Sequence, residues 1–224
     1  MIKRIGFCLL AFTTQFALAD DSRNTAPYYH GNNTYWQSTL SRTINYYIGV
    51  GALRDSSTLK EVDSPAIPTV VIEHSLNGFS GMLFHGVQFP LPANFGVSLE
   101  NTWLVSNSQA KFTNVDTQKL KKVHSVGLSV LPSYQTYSLG AVFLRLGIVH
   151  TLFQDSGLEA AVLHFKESVN GGQFGVGYNF DLNYHFSARA EYDYTKYKKF
   201  YTLAQAQSLT PSSNEVMLSV LYHF

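Results

Sequence analysis

The chain has 224 residues, a length that suits one domain or one sizeable barrel with loops. Charged residues make up 14% of it and aromatics another 14%, a balance poorer in charge and richer in rings than an ordinary soluble domain, so something other than water is expected to cover part of the surface. The formal net charge of +1 supplies no basic field and implies no nucleic-acid partner.

At the N-terminus Lys3 and Arg4 precede the largely apolar run IGFCLLAFTTQFALA, which closes on Ala17-Leu18-Ala19 before Asp20. This is the pattern of a cleaved export signal, and residues 1–19 are assigned to it. Removing them takes away two basic groups and leaves 14 Lys+Arg against 15 Asp+Glu, a formal charge of −1. The single cysteine, Cys8, leaves with the signal, so no disulfide or thiol chemistry is expected of the mature chain. Residues 20–43 are polar and aperiodic, and read as a flexible periplasmic lead-in segment.

From residue 44 onward, runs that alternate apolar and mixed positions take over, the period-2 signature of strands. Residues 44–54 set Tyr46, Ile48, Val50 and Ala52 against Asn45, Tyr47, Gly49 and Gly51. Residues 78–89 carry Leu83, Val87 and Phe89 in phase. After the short PLPAN turn, residues 95–105 alternate Phe95, Val97, Leu99 and Trp103 against Gly96, Ser98, Glu100 and Thr102, with Asn101 a polar exception on the apolar face. Residues 123–131 present Val126, Leu128 and Val130, and 132–137 read as a turn. Residues 138–152 set Val142, Leu144, Leu146 and Ile148 against Ala141, Phe143, Arg145 and Gly147. Residues 172–182 set Phe174, Val176, Tyr178 and Phe180 against Gly175, Gly177, Asn179 and Asp181. After Asn183-Tyr184-His185, residues 186–197 set Ala188, Ala190, Tyr192 and Tyr194 against Ser187, Arg189, Glu191 and Asp193. The last run, VMLSVLYHF, places Val216, Leu218, Val220, Tyr222 and Phe224 on one face.

Eight such runs, each close to the roughly 9–11 residues a tilted strand needs to cross a bilayer, are joined by connections that alternate long and short. The expected fold is all-β: an eight-stranded antiparallel up-and-down transmembrane β-barrel over residues 44–224. A soluble eight-stranded barrel with its apolar face inward shares the periodicity. The export signal, the ring-rich strand ends and the terminal Phe224 favour the membrane form. Rings expected at one interface are Tyr46, Phe89, Phe95, Phe180, Phe186 and Tyr222, and at the other Trp103, Phe174 and Tyr194.

From about residue 44 to the end the chain resembles the OmpA-like and opacity-type family of small outer-membrane β-barrels, on YYIGVGA, FGVSLENTW, FGVGYNFDLN, FSARAEYDYTKY and NEVMLSVLYHF. The resemblance implies residence in the cell outer membrane. It implies that Val220, Tyr222 and Phe224 act as a sorting signal for the barrel-assembly machinery. With Phe224 ending both strand and chain, no wall-anchoring periplasmic domain is expected. The expected role is envelope structure and presentation of surface loops, as an adhesin or surface antigen, with outer-membrane lipid and lipopolysaccharide as surroundings, a host-surface ligand met through the loops, and a monomeric state. The alternatives are a narrow gated ion channel or porin-like protein and, third, a lipid A-modifying enzyme.

Eight strands leave an interior just wide enough for side chains. Inward glycines, among them Gly49, Gly86 and Gly177, make room for Tyr47, Phe84, Phe143 and Arg145. Glu100, Arg145, Arg189, Glu191 and Asp193, with Asp181, are the candidate lumen charges, and buried charges persist only when paired. Arg145 and Arg189 are therefore expected to form an ion-pair network with Glu100 and Glu191, read either as a plug or as the gate of a small-ion path. His185, Ser187 and Glu191 share residue types with outer-membrane lipid A deacylases, but His185 falls in a periplasmic turn, so no catalytic site is assigned. The eight histidines show no close metal-ligand spacing, and no cofactor is expected. Lys119, Lys121 and Lys122 in the second long loop, and Lys198 and Lys199 at the start of the fourth, are the candidates for lipopolysaccharide phosphates.

Overall fold

The computed structural model describes residues 44–62, 71–111, 119–136, 140–155, 166–201 and 208–224. The expected signal and lead-in segment, residues 1–43, lie outside them. Among the described residues every regular element is a strand: β1 Asn45–Val62, β2 Val71–Pro90, β3 Phe95–Ser106, β4 Gln109–Lys111, β5 Lys119–Thr136, β6 Gly140–Asp155, β7 Lys166–Asp181, β8 Phe186–Tyr197, β9 Phe200–Tyr201 and β10 Ser208–His223. No described helix is long and apolar enough to cross a membrane. The short β4 continues β3 past Asn107 and Ser108, and β9 continues β8 past Lys198 and Lys199, so the chain crosses eight times.

All neighbours pair antiparallel, and β1 bonds both β2 and β10, which closes the cylinder and removes every free edge. The register can be followed around the wall: Ile48 faces His85, then Asn101, Leu128, Ile148, Gly172, Lys196 and Ser212. The path returns to β1 at Thr58, ten residues above its start. A stagger of ten over eight strands, with ~3.3 Å rise and ~4.8 Å strand spacing, sets a strand tilt of about 40°.

The apolar face points outward. Tyr46, Ile48 and Val50 on β1, Leu99 and Trp103 on β3, Val142, Leu144 and Leu146 on β6, and Val216, Leu218 and Val220 on β10 are all exposed, while the intervening residues are buried. On β3 the outward run from Phe95 to Val105 climbs about 25 Å along the barrel axis at that tilt, the height of an outer-membrane hydrocarbon band. The rings expected at the two interfaces, from Tyr46 and Phe186 at one to Trp103 and Phe174 at the other, are exposed at strand ends of this band.

Seven of the eight strands extend beyond their expected bounds, chiefly at the end that leads into the odd connections. The first run ends at Val62 rather than 54, the second begins at Val71, the fourth covers Lys119–Thr136, the sixth begins at Lys166 and the last begins at Ser208. Residues 63–70, 112–118, 156–165 and 202–207 lie outside the described residues, and 132–136, expected as part of a turn, lie in β5. The reason is physical: above the apolar band both faces of a strand are polar, so main-chain pairing continues while hydrophobic alternation, the signal for a strand, stops. In β1 Arg54 and Ser56 point out and Asp55 and Ser57 point in, with no greasy face to mark the strand.

Candidate functional site

The inward face of the barrel is filled, and its charges gather in two layers. Gly49, Gly86 and Gly177 sit against the rings of Phe84, Tyr47 and Phe143 respectively, so a Cβ at any of them would collide with the side chain it accommodates. At these three positions the space left by glycine on one strand is taken by a ring from another.

The lower layer lies near mid-height of the apolar band. Arg145 on β6 reaches across the lumen to β3 and β8: Nη2 is 2.6 Å from Glu100 Oε1, and Nε is 2.5 Å from Glu191 Oε1 and 3.6 Å from Asp193 Oδ2. A second bond from Nη2 to Glu191 Oε2 at 3.0 Å makes the Glu191 pair bidentate. Arg189 on β8 donates from Nη1 to Glu100 Oε2 at 2.6 Å and from Nε to Asn179 Oδ1 at 2.8 Å. Glu100 thus bridges the two guanidinium groups, and it also accepts the Tyr47 hydroxyl at 2.9 Å. The Arg189 guanidinium carbon is 4.8 Å from the Phe143 ring, 5.0 Å from Phe84 and 5.7 Å from Tyr47. The structure brings together the candidate lumen charges Glu100, Arg145, Arg189, Glu191 and Asp193. Asp181 stands apart at the turn end of β7, 3.5 Å from Gln135 Nε2.

The upper layer lies nearer the odd connections. Lys122 on β5 donates from Nζ to Asp55 Oδ2 on β1 at 3.0 Å and to Glu215 Oε1 on β10 at 2.5 Å. Ser57 donates to Asp55 Oδ1 at 2.6 Å, and the Ser213 hydroxyl lies 2.8 Å from Asp55 Oδ1 and 2.9 Å from Glu215 Oε1. Lys122 is only 1% exposed. This corrects its expected place in a solvated loop contacting lipopolysaccharide. The cause is twofold: β5 is longer than expected, and an irregularity between Lys122 and His124 resets the alternation so that Lys122 points inward. Lys119 is likewise in β5 rather than a loop, and Lys121 is half-buried there. Lys198 and Lys199 are exposed at the gap between β8 and β9. The signal that points to the upper layer in the sequence is the spacing of Asp55 and Ser57 in phase with Leu53, Gly51 and Gly49, which extends the inward face beyond the last outward apolar residue.

Between the layers lies a cavity of about 20 Å³ lined by Lys122, Arg145, Gln173, Asp193, Glu215 and residues around them. Gln173 Oε1 and Asp193 Oδ1 are buried without a hydrogen-bond partner. A space of that volume with two idle acceptors suits one water molecule.

His185 and Ser187 do not act on one another. His185 Nδ1 is 3.1 Å from the His223 carbonyl oxygen, and the Ser187 hydroxyl is 2.8 Å from His223 Nε2. Among the described residues no group of acidic or histidine side chains is arranged to hold a metal ion. Of the expected sorting residues, Val220, Tyr222 and Phe224 are exposed on the outer face; the Phe224 amide donates to the Tyr46 carbonyl at 3.0 Å, and Tyr222 stacks on His185 with ring centroids 5.6 Å apart.

A family model described as outer membrane protein beta-barrel domain matches residues 45–224. No curated protein matches the sequence significantly. Solved structures with a similar fold include Neisserial surface protein A, 17% identical with a TM-score of 0.47 over 80% of this chain and 97% of that one. Another is the attachment invasion locus protein of Yersinia pestis in complex with the heparin analogue sucrose octasulfate, 16% identical with a TM-score of 0.49 over 81% and 99%. A third is the outer membrane protein OprG from Pseudomonas aeruginosa, 15% identical with a TM-score of 0.44 over 79% and 96%.

Proposed function

This chain belongs to the outer membrane protein β-barrel domain family and resides in the outer membrane, and from that premise we propose that it is a plugged barrel serving envelope structure and carrying surface loops as an adhesin or surface antigen. The observation that supports this reading is the lumen itself. Three cations and five carboxylates, Lys122, Arg145 and Arg189 with Asp55, Glu100, Glu191, Asp193 and Glu215, are buried across it in two cross-strand layers. Each layer joins strands that are not neighbours, so it ties opposite walls together and fills the path an ion would take. With the inside closed, contact with the surroundings falls to the outer wall and to connections 63–70, 112–118, 156–165 and 202–207. Outward Arg54 and Lys196, exposed just above the apolar band, are placed to meet lipopolysaccharide phosphates. Export through a signal over residues 1–19 and delivery to the barrel-assembly machinery through Val220, Tyr222 and Phe224 belong to the same proposal.

A narrow channel is the second reading, and the cavity with its idle Gln173 and Asp193 oxygens favours it. Recording single-channel currents in planar bilayers distinguishes the two. The plugged barrel passes no resolved current as wild type, and Arg145→Ala produces openings by removing the central cation. Regular openings in the wild type overturn the plug in favour of a gated path.

A further inference from the structure

The outer wall carries one pair of side chains that lipid cannot satisfy. His85 on β2 and Asn101 on β3 are both exposed, flanked in sequence by the buried pairs Phe84 and Gly86, and Glu100 and Thr102. They are directly opposite one another in the register. Following the wall from Ile48 at about 40° of tilt puts both within a few ångströms of the middle of the apolar band. Other outward positions at that height, such as Val50, Leu99, Val130, Leu144 and Leu218, are aliphatic. Neither the imidazole nor the carboxamide has a hydrogen-bond partner among the described residues. Polar groups set in hydrocarbon without partners are costly, and where they occur they mark a buried contact or a functional position.

We propose that this face joins a second copy of the chain, in a dimer whose two-fold axis runs along the membrane normal between β2 and β3. The argument is one of complementarity. Rotation about such an axis lays the left side of one face against the right side of the other. His85 of each copy then meets Asn101 of the second copy across a depth offset of about 3 Å, which the two side chains span. A neutral imidazole offers one N–H and one acceptor nitrogen, and a carboxamide offers both an N–H and a carbonyl, so each of the two pairs closes a hydrogen bond with no group left over. Two polar side chains on adjacent strands, offset in depth by only about 3 Å, are what an interface built from the same patch twice can pair. The strand lean places Trp103 above this pair along the normal and Tyr46 below it, both about half exposed at 54% and 53%. They supply large aromatic area on the same vertical seam, above and below the polar centre. The single-copy state expected from the family resemblance gives way here to a dimer within the membrane.

The test uses protein isolated from the outer membrane, from which the export signal and with it Cys8, the single cysteine, have been removed, reconstituted in phosphatidylcholine vesicles. Energy transfer between donor- and acceptor-labelled copies is followed as the protein-to-lipid ratio rises. Wild type associates, and the double variant His85→Leu/Asn101→Leu, which replaces both polar groups with apolar ones and is checked to be folded by a strand-rich circular dichroism spectrum matching wild type, associates about tenfold more weakly. A cysteine placed by Val87→Cys, on the seam, is captured as a dimer by a short bismaleimide, and one placed by Leu144→Cys, across the barrel, is not. Wild type that stays monomeric at every ratio overturns the proposal. So does association unchanged in the double variant, or equal capture from Leu144→Cys. Capture of a different polypeptide from Val87→Cys in whole cells, with purified wild type monomeric, also overturns it and assigns the face to another envelope protein.

Discussion

The two charge layers solve the same problem with different chemistry. In the lower layer two guanidinium groups share three carboxylates, with one pair bidentate and a carboxylate bridging both cations. Rings from β1, β2 and β6 pack around Arg189 and shut out water. In the upper layer one ammonium holds two carboxylates, and serine hydroxyls complete their bonding. A guanidinium is a planar fork that fixes direction, whereas an ammonium is a compact point charge on a flexible stem. The lower layer is therefore the geometric lock of the barrel, and the upper one a looser clasp near the water-filled end. The charge ledger differs in the same sense: deleting the one cation above leaves two bare carboxylates, while deleting Arg145 below leaves Glu191 and Asp193 bare in the middle of the membrane.

The largest effect is expected for Arg145→Met. Breaking a buried pair costs about 3–5 kcal/mol because the remaining charge is uncompensated, and Arg145 serves three carboxylates at once, so the upper end of that range is expected. Urea unfolding in lipid vesicles, read by the exposed Trp103, measures it. A loss below about 1 kcal/mol would show that the lower layer is not the lock.

Lys122→Met comes next, at about 3 kcal/mol, with Ser57 and Ser213 still bonding the orphaned carboxylates. The triple variant Asp55→Leu/Lys122→Met/Glu215→Leu sharpens the point. Replacing a whole buried ion cluster with apolar groups of similar volume is often neutral or stabilising, so it is expected to recover to within about 1 kcal/mol of wild type. A triple variant as unstable as the single one would mean that the upper layer contributes shape rather than charge balance.

The same two layers mark how far the sequence could be read. Arg145, Arg189, Glu191 and Glu100 lie inside the bilayer span, where every second residue is apolar and any charge in the opposite phase must face inward. That contrast made the closed barrel, its outward face and the lower layer legible. Asp55, Lys122 and Glu215 lie at or beyond the last lipid-facing residue, where outward positions such as Arg54, Ser56 and Asn214 are polar too. With both faces polar the alternation vanishes, and the bulge beside Lys122 shifts the phase that remains. The pairing of His85 with Asn101 was illegible for another reason: it depends on the relative register of β2 and β3, which the PLPAN turn sets through the left-handed backbone of Ala93 and Asn94.

The smallest effect is expected for Arg189→Lys, and it asks whether direction or charge matters in the lower layer. Lysine keeps the positive charge beside Glu100, so no carboxylate is left bare. It loses the simultaneous reach to Glu100 and Asn179 and the stacking of a flat cation on Phe84 and Phe143. One hydrogen bond and part of a desolvated cation–π contact amount to about 1–2 kcal/mol. A urea midpoint shifted by that amount, with unchanged slope, fits a lock whose strength comes from fork geometry. No shift at all would erase the distinction between the layers, because an ammonium would then serve as well below as it does above.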